Sequence, residues 1–195
     1  MEAYNISKAT LGRLPGYFAY LKSVYGGEDE YISASTIANA LSLGEVQVRK
    51  DLAFVTTSGK PKVGYNIKGL IGDLERFFSR TNTASAVLVG DGYLGKALAE
   101  YEGFSEYGVK IDACFDFLAD EFAEKFSAYA KNNSVRIGII AVRSASAQTV
   151  CNIMTENGIS AIWNFAPCNL NVPEGIHLKQ ENLALSLAYL QNQLI

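Results

Sequence analysis

The stretch AVLVGDGYLGKALAEY, residues 86–101, constrains this chain more than any other. A short apolar run ends at Gly90, glycines follow at 92 and 95, and a helical pattern then begins. That order is how a strand–turn–helix unit cradles a dinucleotide pyrophosphate. Gly90 permits the tight turn, Gly92 lets the backbone approach the phosphates, and Gly95 lets helix and strand pack closely. Asp91, Tyr93 and Leu94 stand between and beside these glycines, at the start of a helix whose first amides favour an anion. The next apolar segment, DACFD, ends in Asp116, whose carboxylate can accept from a ribose diol and repels a 2′-phosphate. NAD(H) is therefore favoured over its phosphorylated counterpart. The alternative is a related fold that uses the three glycines for packing alone.

The surrounding sequence alternates as βαβ units do. Strands are expected at 85–90, 109–115, 136–142 and 161–165, and helices near 93–102, 119–131, 145–157 and 180–194. Runs such as IGIIAV are continuously apolar, which suits a parallel sheet covered on both faces. The expected class is α/β, with a Rossmann-like doubly wound parallel sheet and a C-terminal helix.

Residues 1–80 read differently. A helix from about Ser7 is expected to break or kink at Pro15-Gly16, because proline removes a helical hydrogen bond. YISASTIANAL offers Ser33 or Ser35 as an N-cap, and the turn SLG leads into EVQVRKDLAFV, with Val46, Val48, Leu52 and Val55 partly inward. Two short helices joined by a Gly-containing turn form a helix-turn-helix candidate. TTSGKPKVGYN then reads as a β-hairpin wing, and Asn66 caps IKGLIGDLERFF. Together these make a winged helix. The polar stretch SRTNTAS, 79–85, is the linker candidate, giving domains at 1–80 and 85–179, with a C-terminal helix at 180–195.

Charge follows the same division. Residues 1–80 carry ten Lys/Arg against eight Asp/Glu, the rest seven against twelve, and within 49–68 the balance is five to one. That local excess suits a phosphate backbone, and a solvated basic face is the alternative. MEAYNISKAT has no apolar signal-peptide core, and no apolar run reaches the roughly 18 residues of a membrane helix. Cys114, Cys151 and Cys168 are odd in number and lie in apolar sequence, so buried reduced thiols in a cytoplasmic protein are expected. Catalysis lacks its groups: the only histidine is His177, in PEGIH, where an edge strand is the expected role. No metal cluster is legible.

VQVRKDLAF, GKPKVGYN, GDGYLGKAL followed by YEGF, then CFD, NFAP and VPEGIHL occur in an order that resembles the Rex family of bacterial redox-sensing repressors. The resemblance covers nearly the whole chain. It implies a homodimer with an N-terminal winged helix, a C-terminal Rossmann domain and a last helix, here 180–195, that carries dimerisation by being swapped between subunits. It also implies that NADH binding closes the dimer and releases pseudo-palindromic operator DNA. On this chain the DNA readers would be Gln47, Arg49 and Lys50 of the recognition helix and Lys60, Lys62 and Tyr65 of the wing. Gly90, Gly92, Gly95 and Asp116 fall where the cofactor lies.

Several positions depart from the family pattern. Pro61-Lys62 stands in the wing where a Lys-Arg-Gly run is usual, and the segment after Asp116 is short by the length of a peripheral strand. Asp91 places a carboxylate in the Gly loop, and Arg143 replaces a proline after IGIIAV, facing the expected nicotinamide. A latch of arginine, tyrosine and acid retains Tyr101, but its charged positions read Ala19 and Asn182. Three readings therefore stand: an NAD(H)-responsive dimeric repressor, a repressor whose Rossmann domain is mainly a dimerisation scaffold, and a small NAD-dependent oxidoreductase with a helical cap.

Overall fold

The computed structural model describes residues 6–28, 30–80 and 84–194. The chain divides into two compact units, Met1–Asn82 and Thr83–Ile195. Residues 81–83, at the centre of the expected linker, lie outside the described residues.

In the first unit α1 spans Lys8–Val24, capped by Ser7, whose Oγ accepts from the Thr10 amide at 3.0 Å. Pro15 lies inside this helix without ending it, so of the expected break or kink the break does not occur. Leu14, Tyr17, Phe18 and Leu21 are fully buried along one face. Each contributes about 1.5–3 kcal/mol of burial, against about 3 kcal/mol for an internal proline. Burial wins.

β1 (Tyr31–Ile32) precedes α2 (Ala34–Ala40), which is capped by Ser33 through the Thr36 amide. A turn with Ser42 at φ 54° leads into α3 (Glu45–Leu52). Val48, Asp51 and Leu52 face inward. Val46, expected partly inward, is 67% exposed. At 100° per residue it stands on the side of the helix away from Val48 and Leu52.

The wing also differs from expectation. β2 (Tyr65–Asn66) pairs antiparallel with β1 rather than with residues 56–60. Within the expected hairpin there is only a Lys60–Gly64 bridge, its two backbone hydrogen bonds 2.8 and 2.9 Å long. The partner is chosen at Gly64, where φ is 100° and a Cβ would stand 2.2 Å from the Ile32 carbonyl oxygen. Asn66 Oδ1 accepts from the Gly69 amide at 2.8 Å and opens α4 (Ile67–Arg80), which buries Ile67, Leu70 and Leu74.

The second unit runs β3 (Ala84–Val89), α5 (Tyr93–Ala99), a 3₁₀ turn (Glu102–Tyr107), β4 (Val109–Phe115), α6 (Phe122–Asn133) and β5 (Ile137–Ile140). It continues through α7 (Ser144–Glu156), β6 (Ala161–Asn164), β7 (His177–Gln180) and α8 (Leu183–Asn192). The sheet is wholly parallel, in the order β4-β3-β5-β6-β7. His177 opens the edge strand β7, as expected of PEGIH. No strand lies beyond β4 among the described residues, so β4 is the other edge.

One face of the sheet holds the main core, with Val87, Val89 and Ile140 packed among Phe126, Val150 and Met154. Among the described residues the hydrophobic cluster on the other face fully buries only Ala86, Leu88 and Ile139, with Trp163 and Phe165 half-covered beside them. Cys151 is buried and Cys168 half-buried, but Cys114 is exposed, correcting the expectation for that thiol. Along the edge strand β4 alternate residues turn outward, and Cys114 shares that phase with Lys110 and Asp112. All three thiols are free.

Candidate functional site

The topology locates a crevice in the second unit. From β3 the chain crosses to β4 on one side, then returns past β3 to β5 on the other. Ligands of open α/β sheets bind at such a reversal, outside the carboxyl ends of the strands. The loops after β3 and β5 meet there. Gly90, at φ 137°, lies so close to the second loop that a Cβ would stand 2.3 Å from the Ala141 carbonyl oxygen. A Cβ on Gly95 would stand 2.1 Å from the Gly90 carbonyl oxygen, while one on Gly92 would meet nothing within 4 Å. The three glycines thus do three things: one turns the chain, one packs the helix, and one leaves open space. Packing alone accounts for Gly90 and Gly95, and it leaves Gly92 unexplained.

Beneath this loop lies a cavity of about 310 Å³ whose lining includes Gly90, Asp91, Gly95, Lys96, Cys114 and Asp116. Asp116 is half-buried; its Oδ1 accepts from the Leu118 amide at 2.8 Å, which fixes the carboxylate at the cavity wall. Asp91 is exposed at the rim. The cavity does not include Tyr93, which is 97% exposed, nor Leu94, Gly92, Tyr101 or Arg143. Tyr101 stacks edge-on against Phe104 at 4.9 Å. Arg143 is exposed at the N-cap of α7 and has no side-chain hydrogen bond or ion pair among the described residues, Asp91 and Asp116 included. Lys96 is not singled out by the sequence, and Cys114 only as a buried thiol. Lys96 was hidden because a lysine on a short helix reads as solvated surface.

A second cavity, about 470 Å³, lies beside the NFAP segment and the start of α8. Asn164 is fully buried and organises its wall: Nδ2 donates to Gln180 Oε1 at 2.8 Å and to the Ala166 carbonyl at 3.1 Å, and Oδ1 accepts from the Ala166 amide at 3.0 Å. Asn182 caps α8 by accepting from the Leu185 amide at 2.9 Å. It keeps the capping role an acid would have there, without the charge.

In the first unit α2 and α3 make the helix-turn-helix. Gln47, Arg49 and Lys50 are all exposed on α3, and Arg49 pairs with Glu45 one turn back. Lys60 lies over the Tyr31 ring at 5.4 Å, its Nζ donating to the phenol oxygen at 3.3 Å. Lys62 is exposed at the tip of the Lys60–Gly64 turn with φ 64°. Tyr65 is half-buried against Gly59 and does not stand free.

Sequence reasoning missed the network under α3. Asp51 is 3% exposed and accepts from Arg13 Nε at 2.7 Å, Arg13 Nη2 at 2.9 Å and the Tyr17 hydroxyl at 2.7 Å. Burial pushes the Asp51 carboxyl up, but the hydrogen bonds from Arg13, Tyr17 and Thr10 outweigh it and hold it below the ordinary carboxylate range. Burial, and then the hydrogen bond to Asp51, push the Tyr17 phenol up to about 12. No group of His, Cys, Asp and Glu among the described residues could hold a metal ion, and none of their helices is long and apolar enough to cross a membrane.

Comparison with known proteins agrees with this geometry. Residues 5–53 match the family described as "Putative DNA-binding protein N-terminus" and residues 81–168 match the family described as "CoA binding domain". The "Redox-sensing transcriptional repressor Rex" of Clostridium tetani is 34% identical, with 97% of this chain and 96% of the relative covered. That of Carboxydothermus hydrogenoformans is 36% identical, with 97% of each covered. Among solved structures, RSP in complex with β-NAD⁺ and operator DNA superposes with a TM-score of 0.79 at 28% identity, over 97% of this chain and 92% of that one. RSP in complex with β-NADH gives 0.78 at 27%, over 97% and 94%.

Proposed function

The chain belongs to the Rex family of redox-sensing transcriptional repressors, and from that premise we propose that it binds operator DNA and senses the NADH/NAD⁺ ratio, NADH releasing the DNA. Its relatives are named as transcriptional repressors, not enzymes. The observation that carries the reading is the glycine cradle, where Gly90 and Gly95 exclude any side chain and Gly92 faces open space above a cavity ending at Asp116. The backbone of Gly90, Asp91, Gly92, Tyr93, Leu94 and Gly95 would hold the pyrophosphate, and Asp116 the adenosine ribose. Arg143 and Tyr101 would lie toward the nicotinamide half. When bound, the nucleotide supplies a redox-dependent charge on its nicotinamide ring. The chain's own residues bind it and orient it.

Residues 1–80 would be the DNA-binding domain, with Gln47, Arg49, Lys50, Lys60, Lys62 and Tyr65 as its contacts, and 85–179 the nucleotide domain. Residues 180–195 would dimerise. On α8, Leu183, Leu185, Leu187 and Leu190 are all more than half exposed. A helix this apolar is not stable facing water, and a second copy of the chain supplies the cover. Such a two-fold dimer presents two identical readers to a pseudo-palindromic site, in the cytoplasm.

A second reading keeps the DNA binding and the dimer but not the nucleotide response. Ala19 and Asn182 favour it, being uncharged where the family latch carries charge. Titration of NADH, NAD⁺ and coenzyme A into the purified protein, with binding to the RSP operator duplex followed in parallel, separates the two. Release by NADH alone supports the sensor; DNA binding indifferent to all three supports the scaffold.

A further inference from the structure

The exposed side of α3 is not a row of free side chains. The Arg13 guanidinium is clamped by the buried Asp51 carboxylate through Nε and Nη2, and Asp51 is held in turn by the Tyr17 hydroxyl. Gln47, one turn before Asp51, faces the other edge of the same guanidinium. With its amide oxygen toward Arg13, Gln47 accepts from Nη1 and Nη2 at 3.2 Å each. The opposite orientation would set an NH₂ against a guanidinium, donor against donor. The oxygen therefore points inward, and the NH₂ is left on the exposed face of the helix.

A free glutamine amide offers an oxygen with two lone pairs and an NH₂ with two donors, and grips adenine by accepting from the N6 amine while donating to N7. Gln47 has its acceptor engaged. We propose that Arg13 is a positioning residue that makes Gln47 a donor-only reader. It would recognise a base-edge acceptor in the major groove (purine N7, guanine O6 or thymine O4) and not the adenine donor–acceptor pair. The proposal rests on residues 34–52 being the DNA-reading helix-turn-helix. It makes the reading at this position tolerant: N7 is common to adenine and guanine, so either purine is accepted there.

The test uses the full-length protein and duplexes enriched from a random-sequence library by the wild type. Single bases are then replaced by analogues lacking one acceptor (7-deazapurines for N7, 2-aminopurine for guanine O6, 5-methyl-2-pyrimidinone for thymine O4) or lacking the adenine amine (purine). At one position per half-site, loss of the acceptor should weaken wild-type binding about tenfold, within the range of a good base-edge contact. The same change should leave Gln47→Ala unaffected, and loss of the adenine amine there should cost the wild type nothing. Gln47→Ala keeps the Arg13–Asp51 pair, so its fold is secure, and equal thermal melting verifies it. Arg13→Lys, where it folds, should make the wild-type Gln47 sensitive to the adenine amine. Equal wild-type losses from amine and acceptor removal overturn the proposal, as does binding in which no base analogue couples to Gln47. If no duplex is enriched at low salt, the helix-turn-helix reading falls with it.

Discussion

The Gly90 carbonyl oxygen lies 2.1 Å from where a Cβ of Gly95 would stand, so α5 and the loop before it touch backbone to backbone. Gly95→Ala must push the two apart, at about 2–3 kcal/mol of stability. Gly92→Ala meets nothing and should cost under about 1 kcal/mol, as a helix N-cap change does. Both should lose NADH affinity. Thermal melting and nucleotide titration distinguish them, and a Gly92→Ala variant that binds NADH as tightly as wild type removes the phosphate role of that backbone.

The Asp51–Tyr17 contact predicts stability limits at both ends of the pH scale. Asp51 titrates below its ordinary 3.8 when folded, so its contribution is complete above that value and is lost as pH falls through the lower folded value. Tyr17 is raised from 10.0 to about 12, so its contribution is complete below 10 and is lost as pH rises from there toward 12. Urea unfolding across pH should show both declines. Tyr17→Phe should cost about 1 kcal/mol at neutral pH and flatten the alkaline limb.

Lys62 holds a left-handed backbone that L residues rarely adopt. Lys62→Gly should leave stability equal or slightly higher, since the conformation costs about 1–2 kcal/mol without glycine. It should still reduce the salt dependence of DNA binding by about one ion. Arg49→Ala should cost about 1–3 kcal/mol of operator affinity if the guanidinium leaves Glu45 for a base. Filter binding at graded salt measures both. An unchanged slope for Lys62→Gly means that the wing tip does not meet phosphate.

Arg143 sets a cation at the N-cap of α7, the end of a helix that disfavours positive charge by about 0.3–1 kcal/mol. Near the nicotinamide it would disfavour the oxidised, positive ring. Arg143→Pro should narrow the NADH/NAD⁺ affinity ratio by about tenfold, the effect of two charges several ångströms apart in a partly wet site. Calorimetry on both nucleotides decides. A parallel loss of both affinities would mean a phosphate contact instead.

Removal of residues 181–195 should convert a dimer to a monomer or an aggregate, read by sedimentation. A soluble dimer after truncation would show that α8 is not the intersubunit element.

The glycine triplet was legible because only glycine satisfies a positive φ at Gly90 and a backbone contact at Gly95. The parallel sheet was legible because its strands are apolar throughout. Val46 was not legible because an apolar side chain suggests burial, whereas its position on the helix turns it outward. The partner of β2 was not legible because a turn-rich segment suggests a local hairpin, while the close approach that decides the pairing is to Ile32, far back in the chain. Arg13, Asp51 and Gln47 were invisible as a unit for the same reason. Their contacts span α1 and α3, and nothing in the local pattern of either helix announces them.

Among the described residues β4 has a strand on one side only, and its outer row of amides and carbonyls could template the addition of a strand from another molecule. Lys110 and Asp112 stand along it, paired at 3.0 Å. An incoming strand would have to strip water from both. Two side chains assigned to neither DNA nor nucleotide thus oppose edge-to-edge pairing at this strand.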